Sequence, residues 1–342
     1  MLGRLWNLLI RLVAHPATRV LIAILTLTIL VRYNRIDAGT LSVAVEAPTL
    51  LLLALMIVLP THLIVAYRFK IVLRGMGIAM QFRSCFSLTM IGAYFDLTMP
   101  SSNGGDVIKA AYLLNELGRE RRYGAVMAVG VDRILGVIGL FTLALLSSLV
   151  GWQSLAEFDQ REALVLLTFT LSLLPLLVFL ILGSARLIRV LEEYLLPRSP
   201  GLGRRLLEVL KVFNVLRQDR WTIPIAIALS MLNHIFWCAA IFLIVHAVGN
   251  SVSLFDGLLV FPLAIFGGIF GVAGGFGLGT AAFDAVFATL LGLGGGATIG
   301  LIFQIVNAAA RLLGLPFFLY TRPRLSEDEE PSNSPSGSTQ EV

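Results

Sequence analysis

The chain has 342 residues, of which 57% are hydrophobic and only 14% are charged. A soluble globular protein of this size needs much more polar surface, so the composition excludes that class and predicts an integral membrane protein. The formal net charge is +5 and the pI is about 9.5. The Lys and Arg residues flank apolar segments, however, which indicates membrane topology and not nucleic-acid binding.

The apolar segments predict the transmembrane architecture. Six runs could cross about 30 Å of hydrocarbon, and they lie at 18–31, 47–66, 125–150, 164–181, 223–248 and 298–319. Two further stretches, 85–99 and 254–293, are short or interrupted by glycine, so we expect re-entrant or broken helices there. The predicted fold is an all-α polytopic membrane protein with about six to eight transmembrane helices.

The ends of the chain differ from its middle. In residues 1–17 apolar side chains recur at helical spacing among arginines, which predicts an amphipathic segment at the membrane interface, or else an ordinary basic flank. Residues 18–320 form one predicted transmembrane domain. Residues 321–342 are acidic and rich in Ser and Pro, and we expect a disordered tail.

The distribution of basic residues predicts the orientation in the membrane. Lys and Arg are concentrated before the first apolar run and after the second and fourth, whereas segments 33–46 and 152–162 contain few. The positive-inside rule therefore places both termini in the cytoplasm and the chain in the cell membrane. The segment between the fourth and fifth runs, 183–221, is interpreted as a long basic cytoplasmic loop.

A polar, glycine-rich run follows directly on the apolar stretch 85–99. Glycine allows backbone conformations that other residues avoid, and a helix beginning at Val107 would present unpaired N–H groups suited to a phosphate. The alternative is that these polar residues only cap a helix. The candidate headgroup-binding residues here are Asn103, Gly104, Gly105, Asp106 and Lys109.

Two charged residues lie well inside the apolar run 125–150. Each ionised group there costs about 2.5 to 3.5 kcal/mol, so Asp132 and Arg133 need partners or water. Since adjacent residues on a helix do not face each other, we expect Arg133 to pair across the bundle with Asp106 or Asp96. Such a pair either fixes two helices together or supplies a phosphate-binding group.

A second glycine-rich turn interrupts the stretch 254–293. Under the predicted topology the first broken element starts from the cytoplasm and this one from outside, which is the arrangement an inverted repeat requires. Its candidate residues, together with an arginine in the last apolar run, are Gly274, Gly275, Gly277, Thr280, Asp284 and Arg311.

Several of these motifs occur together, in order, in one family. These motifs are Arg68, the "MPSSNGGDVIKAAYL" run, the "VDRILGVIGL" segment and the "GGFGLGTAAF" segment. Together they resemble the flippase-like family, which includes the transmembrane region of lysylphosphatidylglycerol synthase and the archaeal AglD-like proteins. Where that family often has Glu, this chain has Thr280, and Asp284 one turn later could substitute for it. The resemblance implies that Arg68 belongs to the site. The family's aminoacyl-transfer domain has no counterpart after Arg324, so lysyl transfer is not expected.

The resemblance implies movement of a polar-headed lipid between leaflets. Such a lipid could be an aminoacylated phospholipid, a polyprenyl-phosphate-linked sugar or a hopanoid-type lipid. Two alternatives are a membrane-embedded transferase, with Asp106 or Asp132 as base or metal ligand, and a scaffold for lipid-biosynthesis enzymes. Membrane lipids are the expected partners, no cofactor or metal is expected, and the sequence does not define an oligomeric state.

Overall fold

The structure is a computed structural model that describes residues 16–33, 35–36, 38–99, 104–117, 122–153, 161–271 and 275–320. The segment 1–15, the tail 321–342, Asn103 and Gly274 lie outside the described residues. The α-helices of the described part are α1 (Pro16–Arg32), α2 (Ala38–Glu46), α3 (Pro48–Gly75), α4 (Phe82–Thr98), α5 (Gly104–Leu117), α6 (Arg122–Val150), α7 (Arg161–Leu182), α8 (Ala185–Val190), α9 (Pro200–Gln218), α10 (Thr222–Ala247), α11 (Leu254–Gly267), α12 (Leu278–Leu290), α13 (Gly296–Leu312) and α14 (Gly314–Tyr320).

Five segments of the described chain are long and apolar enough to cross a membrane. They are Pro48–Gly75, Gly124–Val150, Glu162–Leu182, Thr222–Ala247 and Gly296–Tyr320, the last combining α13 and α14. The first predicted run corresponds to α1, whose 17 residues extend about 26 Å. Helices α11 and α12 are also apolar but are shorter than these segments. The prediction of an all-α polytopic membrane protein is confirmed.

Helix α3 extends beyond the apolar run that predicted it. The run ends at Ala66, but the helix continues to Gly75 and so includes Arg68, which is only 6% exposed. The charge lies inside the bundle because Asp132 of α6 neutralises it. The hydropathy pattern alone therefore ended this helix too early.

Helices α4 and α5 form the first hairpin. They pack against each other. In sequence, α4 begins a few residues after the end of α3, and α6 begins a few residues after the end of α5. Helix α3 ends, and α10 begins, where Gly75 meets Thr222. We call this the basic end, because exposed arginines such as Arg74 and Arg220 lie beside it. The first hairpin starts and finishes at the basic end.

The glycines of the first hairpin provide space, not an unusual backbone conformation. Neither Gly104 nor Gly105 has a positive φ, and α5 already begins at Gly104, before the predicted start at Val107. A Cβ at Gly105 would overlap the backbone carbonyl of Gly92 in α4. The expectation of a special glycine conformation here was wrong, since close helix packing is what these positions require.

Helices α11 and α12 form the second hairpin, which starts from the opposite end. Helix α10 runs away from the basic end, and α11 begins a few residues after it. Gly267 packs against Ala282 near the tip, and the rings of Phe261 and Phe287 stack at 5.5 Å along the hairpin. Two hairpins therefore approach the middle of the bundle from opposite ends.

Helix α10 is the central element of the bundle. It packs along α3 and α6 and also contacts α11 and α13. Gly139 of α6 lies against Ser230 of α10, so small residues allow close approach. The largest buried apolar cluster surrounds this helix and includes Ile241, Phe261 and Phe303.

The segment between the fourth and fifth predicted runs is helical, not a loop. Helix α9 buries Leu207, Leu210 and Leu216 and exposes charged residues such as Lys211. Phe213 packs edge-on against Phe179 of α7 at 4.9 Å. High charge concealed this helix from a hydropathy reading, although its apolar residues recur at helical spacing.

Candidate functional site

A cavity of about 220 Å³ lies in the middle of the bundle, where the two hairpins meet. The first hairpin contributes Asp96 and Asp106, and the second contributes Gly268, Ile269 and Gly275. Broken helices that meet near the membrane midplane are a common setting for substrate sites in transporters. Its charged lining consists of the cations Arg68, Lys109, Arg133 and Arg311 and the carboxylates Asp96, Asp106 and Asp132.

Arg68 and Asp132 form a buried bidentate pair. The Nε and Nη2 atoms of Arg68 donate to the two carboxylate oxygens of Asp132 at 2.8 and 3.0 Å. The remaining Nη1 donates to Ser230 Oγ at 2.9 Å. Both side chains are under 10% exposed, at 7% and 9%. This pair joins α3, α6 and α10 at one point.

Arg133 pairs with Asp106, as the sequence predicts. Its Nε and Nη2 atoms both lie 2.7 Å from Asp106 Oδ2. The side chains are 40% and 24% exposed, far more than those of the Arg68 pair. Asp106 lies in the first turn of α5, where a carboxylate also interacts favourably with the helix dipole. The pair links the first hairpin to α6 but stays accessible from the cavity.

Asp96 closes the tip of the first hairpin. Its Oδ1 accepts a hydrogen bond from the backbone N–H of Gly105 at 2.9 Å. This bond ties the end of α4 to the start of α5. Asp96 was the second candidate partner for Arg133; no ion pair between them is found, although the two charges are close enough to interact.

Two cations of the cavity have no ion-pair partner among the described residues. Lys109 is 8% exposed and its ammonium lies 5.4 Å from the centre of the Phe69 ring. Arg311 faces the same cavity, and the charge of Asp96 acts on it without forming an ion pair. Once the two pairs are set aside, two cations and one carboxylate remain, so this part of the lining favours an anion.

Neutral polar groups form another wall of the cavity. Asn233, His234 and Trp237 lie within about one turn of α10. His234 Nε2 is 3.2 Å from the carbonyl oxygen of Gly136, and its ring lies edge-on to Trp237. The cavity thus combines charged groups with uncharged hydrogen-bonding groups.

The second glycine-rich element contributes less than expected from its sequence. Gly275 lines the cavity, but Gly277, Thr280 and Asp284 do not. Gly277, at φ 79°, precedes the first residue of α12, a backbone conformation that favours glycine. Thr280 donates to Gln304 Oε1 at 2.8 Å, and Gln304 in turn faces the cavity. Thr280 therefore acts on the site only through Gln304.

Asp284 pairs outside the cavity. Its carboxylate lies 2.8 Å from Arg35 Nε, with side-chain exposures of 9% for Asp284 and 49% for Arg35. Arg35 belongs to the segment between α1 and α2. This ion pair joins that segment to the second hairpin.

The sequence did not predict His62, Asn233, His234 or Trp237 as site residues. All four line the cavity. The available signal was a polar or amphipathic residue in the middle of a transmembrane run, which marks a functional-site candidate by default. Asn307 and Arg311, four residues apart, share the cavity-facing side of α13. Among the described residues no group of three or more His, Cys, Asp or Glu is placed to hold a metal ion.

Comparison with known proteins gives one matching family and one related protein. Residues 17–314 match the family described as "Lysylphosphatidylglycerol synthase TM region". The UPF0104 membrane protein MJ1595 of Methanocaldococcus jannaschii is 23% identical over 244 residues, which cover 67% of this chain and 71% of that protein. No solved structure matches the chain.

Proposed function

Because the chain belongs to the lysylphosphatidylglycerol synthase transmembrane-region family, we propose that it moves a phosphate-bearing lipid between the two leaflets of the cell membrane. The central cavity receives the headgroup, while the acyl chains stay in the surrounding lipid. Both termini and the basic end face the cytoplasm in this proposal, as the positive-inside rule requires.

The cationic excess of the cavity is the observation that carries the proposal. Lys109 and Arg311 have no ion-pair partner among the described residues, and Arg133 is held by a carboxylate that is itself partly exposed. Unpaired cations at membrane depth are costly unless an anion meets them. A lipid phosphate is the anion available there, and guanidinium groups bind it with well-directed hydrogen bonds.

The two hairpins supply a route for the headgroup. They start from opposite ends of the bundle and both line the cavity. In transporters of this kind, rocking of one element against another exposes a fixed site to each side in turn. A headgroup held at the cavity therefore needs only a small movement of one hairpin to reach either leaflet.

A reconstituted transport assay tests the proposal. Purified protein is placed in liposomes that contain phospholipids with a fluorophore on one acyl chain, and a membrane-impermeant quencher is added outside. Empty liposomes protect the inner-leaflet half of the fluorescence. We expect the wild type to remove that protection and Lys109→Gln and Arg311→Gln to restore it, because each neutralises an unpaired cation.

Lys211→Gln is the matched control. Lys211 is an exposed cation on α9, outside the cavity, and its substitution should leave transport unchanged. Persistent protection with wild-type protein for every phospholipid tested would contradict the proposal. A transferase would instead change the mass of the vesicle lipids, and a scaffold would change neither the fluorescence nor the mass.

A further inference from the structure

A second cleft lies at the basic end of the bundle, between the end of α7 and helices α8 and α9. Its volume is about 600 Å³, and no carboxylate is among the described residues that line it. We call it the basic pocket. Its lining consists of three arginines and four other residues, namely Arg186, Arg189, Arg217, Ser184, Ala185, Asn214 and Gln218. None of these residues lines the central cavity.

The basic pocket lies at the depth of the lipid headgroups. Ser184 comes two residues after Leu182, where the spanning helix α7 ends, and Gln218 comes four residues before Thr222, where the spanning helix α10 begins. Between them, Trp221 is 59% exposed, and tryptophan is enriched at membrane–water interfaces. The pocket therefore opens where phosphate groups of the membrane are concentrated.

Hydrogen bonds fix the base of the pocket. Asn214 Nδ2 donates to the carbonyl oxygen of Gly183 at 2.7 Å, and Asn214 Oδ1 accepts from Gln218 Nε2 at 2.7 Å. Arg217 Nη1 lies 3.5 Å from the carbonyl oxygen of Leu180. These bonds satisfy carbonyl groups at the end of α7, which have no partner within their own helix, and hold α9 against it. The pocket is thus formed by the fold itself.

The arginines of the pocket lack counter-charges. None of the three has an ion-pair partner within the described parts of the chain, and Arg186 and Arg189 form no hydrogen bond there. By contrast, Lys211, on the same helix as Arg217, lies 3.9 Å from Glu192. Like charges that converge on one cleft repel each other, so the pocket favours an anion that neutralises them.

The number and type of the cations indicate the ligand. A guanidinium group presents a planar fork of donors that matches two oxygens of a phosphate. Three positive charges require more than one negative charge for neutralisation, and a single phosphodiester would leave two of them uncompensated. Basic pockets beside transmembrane helices also commonly bind phosphorylated headgroups. A group with at least two phosphates therefore suits the pocket best.

We propose that the basic pocket is a binding site for a ligand with two or more phosphate groups, either a lipid headgroup of the adjoining leaflet or a free phosphate compound. Arg186, Arg189 and Arg217 hold the phosphates. The site shares no residue with the central cavity. It therefore goes beyond the proposed transport and does not depend on it.

Two probes distinguish the possible sources of the phosphates. Inorganic pyrophosphate is titrated into the full-length protein in non-ionic detergent by calorimetry, with inorganic phosphate for comparison. Cardiolipin, which carries two phosphates, is added to the same protein in mixed micelles, and bound lipid is counted by native mass spectrometry, with phosphatidylcholine for comparison. We expect at least one two-phosphate probe to bind about tenfold or more tightly than its comparison compound, as additional charged hydrogen bonds allow.

The double variant Arg186→Gln with Arg189→Gln is diagnostic. It removes two exposed guanidinium groups that form no bond within the described protein, so the fold should persist. We expect it to weaken binding of the probe about tenfold or more. Arg204→Gln with Lys211→Gln removes the same charge from exposed positions of α9 outside the pocket and should keep the affinity. Unfolding midpoints verify that both proteins fold, and Arg189→Gln alone replaces the first should it unfold.

The outcomes identify the source or overturn the inference. A loss of affinity confined to pyrophosphate would indicate a free phosphate compound, a loss confined to cardiolipin a lipid headgroup, and a loss for both a site that accepts either. Equal affinities of the two double variants for both probes would overturn the inference.

The central cavity provides the remaining control. Arg311→Gln changes the cavity and should leave the difference between the two double variants unchanged. Intact binding in the basic pocket of a protein that moves no lipid in liposomes would contradict the proposed function alone.

Discussion

Two arginine–carboxylate pairs hold the middle of the bundle, and they differ in accessibility. Arg68 and Asp132 are 7% and 9% exposed, whereas Arg133 and Asp106 are 40% and 24% exposed. A deeply buried pair cannot exchange partners readily, but an accessible one can release its arginine to an incoming phosphate. We therefore assign Arg68–Asp132 a structural role and propose that Arg133–Asp106 takes part in headgroup binding.

Arg68→Ala should destabilise the protein strongly. Removing one member of a buried pair leaves an uncompensated charge, which costs about 3 to 5 kcal/mol. We expect a clear fall in the thermal unfolding midpoint in detergent, and a smaller fall for the double variant Arg68→Met with Asp132→Leu, which leaves no lone charge. Arg189→Ala, at an exposed arginine, is the control. Equal midpoints for Arg68→Ala and Arg189→Ala would contradict the structural role.

Asp106→Asn should impair transport more than stability. The substitution removes the counter-charge of Arg133, so a lipid phosphate bound by Arg133 is released more slowly. One charged hydrogen bond corresponds to a slowing of about tenfold or more. The liposome assay measures the rate, and Glu208→Gln, at an exposed carboxylate on α9, should behave like wild type. An Asp106→Asn variant that folds and transports at the wild-type rate would place the headgroup elsewhere.

The sequence predicted the charged residues of the site better than the neutral ones. Asp132 and Arg133 stand out because ionised groups are rare in apolar runs, and the need for a partner led to two candidates, Asp106 and Asp96, of which Asp106 forms the pair. His234 gives a weaker signal, because a neutral histidine needs no counter-charge. Its unpaired Nδ1 becomes visible only when the opposite nitrogen is found beside the Gly136 carbonyl, 98 residues away in sequence.

At the scale of elements, the two hairpins were predicted from their glycine-rich interruptions, but the function of the glycines was only partly foreseen. Gly275 and Gly277 have positive φ values of 116° and 79°, as a broken helix suggests. Gly105, by contrast, is helical and is needed for contact with Gly92. Periodicity and composition locate a break, but they do not show which neighbour requires a missing side chain.

Gly105→Ala should disrupt the first hairpin. The added Cβ would meet the Gly92 carbonyl, which is backbone and cannot move aside, and overpacking of this kind typically costs about 1 to 3 kcal/mol. We expect a lower unfolding midpoint and loss of transport, because Asp96 and Asp106 on either side of the tip would be displaced. Gly130→Ala is the matched control, since its Cβ would meet nothing within 4 Å and alanine favours a helix. A Gly105→Ala variant as stable as Gly130→Ala would show that the close approach is not required.

For the molecule as a whole, the charged cavity lies where the two hairpins meet, and the spanning helices α3, α6, α10 and α13 line it. Hydropathy predicted the spanning helices because it responds to the bilayer itself. It did not predict the helical segment at 185–218, whose stability depends on packing against α6 and α7. Nor did it indicate that Arg35 reaches Asp284, a contact set entirely by tertiary structure.

The two hairpins start from opposite ends of the bundle, and this predicts the side of the membrane from which introduced cysteines react. Arg83 is exposed at the start of the first hairpin, and Ser251 is exposed just before the second. Cysteines introduced as Arg83→Cys and Ser251→Cys should therefore react from opposite sides of the membrane. A membrane-impermeant maleimide applied to intact cells should label Ser251→Cys, and Arg83→Cys should react only after permeabilisation.

The unmodified chain is a suitable background for this experiment, because its two cysteines, Cys85 and Cys238, are both buried and should react slowly. Glu46→Cys, exposed beside the start of α3, should label with Ser251→Cys, and Arg220→Cys, at the basic end, with Arg83→Cys. If Arg83→Cys and Ser251→Cys reacted from the same side, the hairpins could not approach the cavity from opposite leaflets. The cavity would then be a site open to one leaflet only, and the proposed movement between leaflets would have no structural basis.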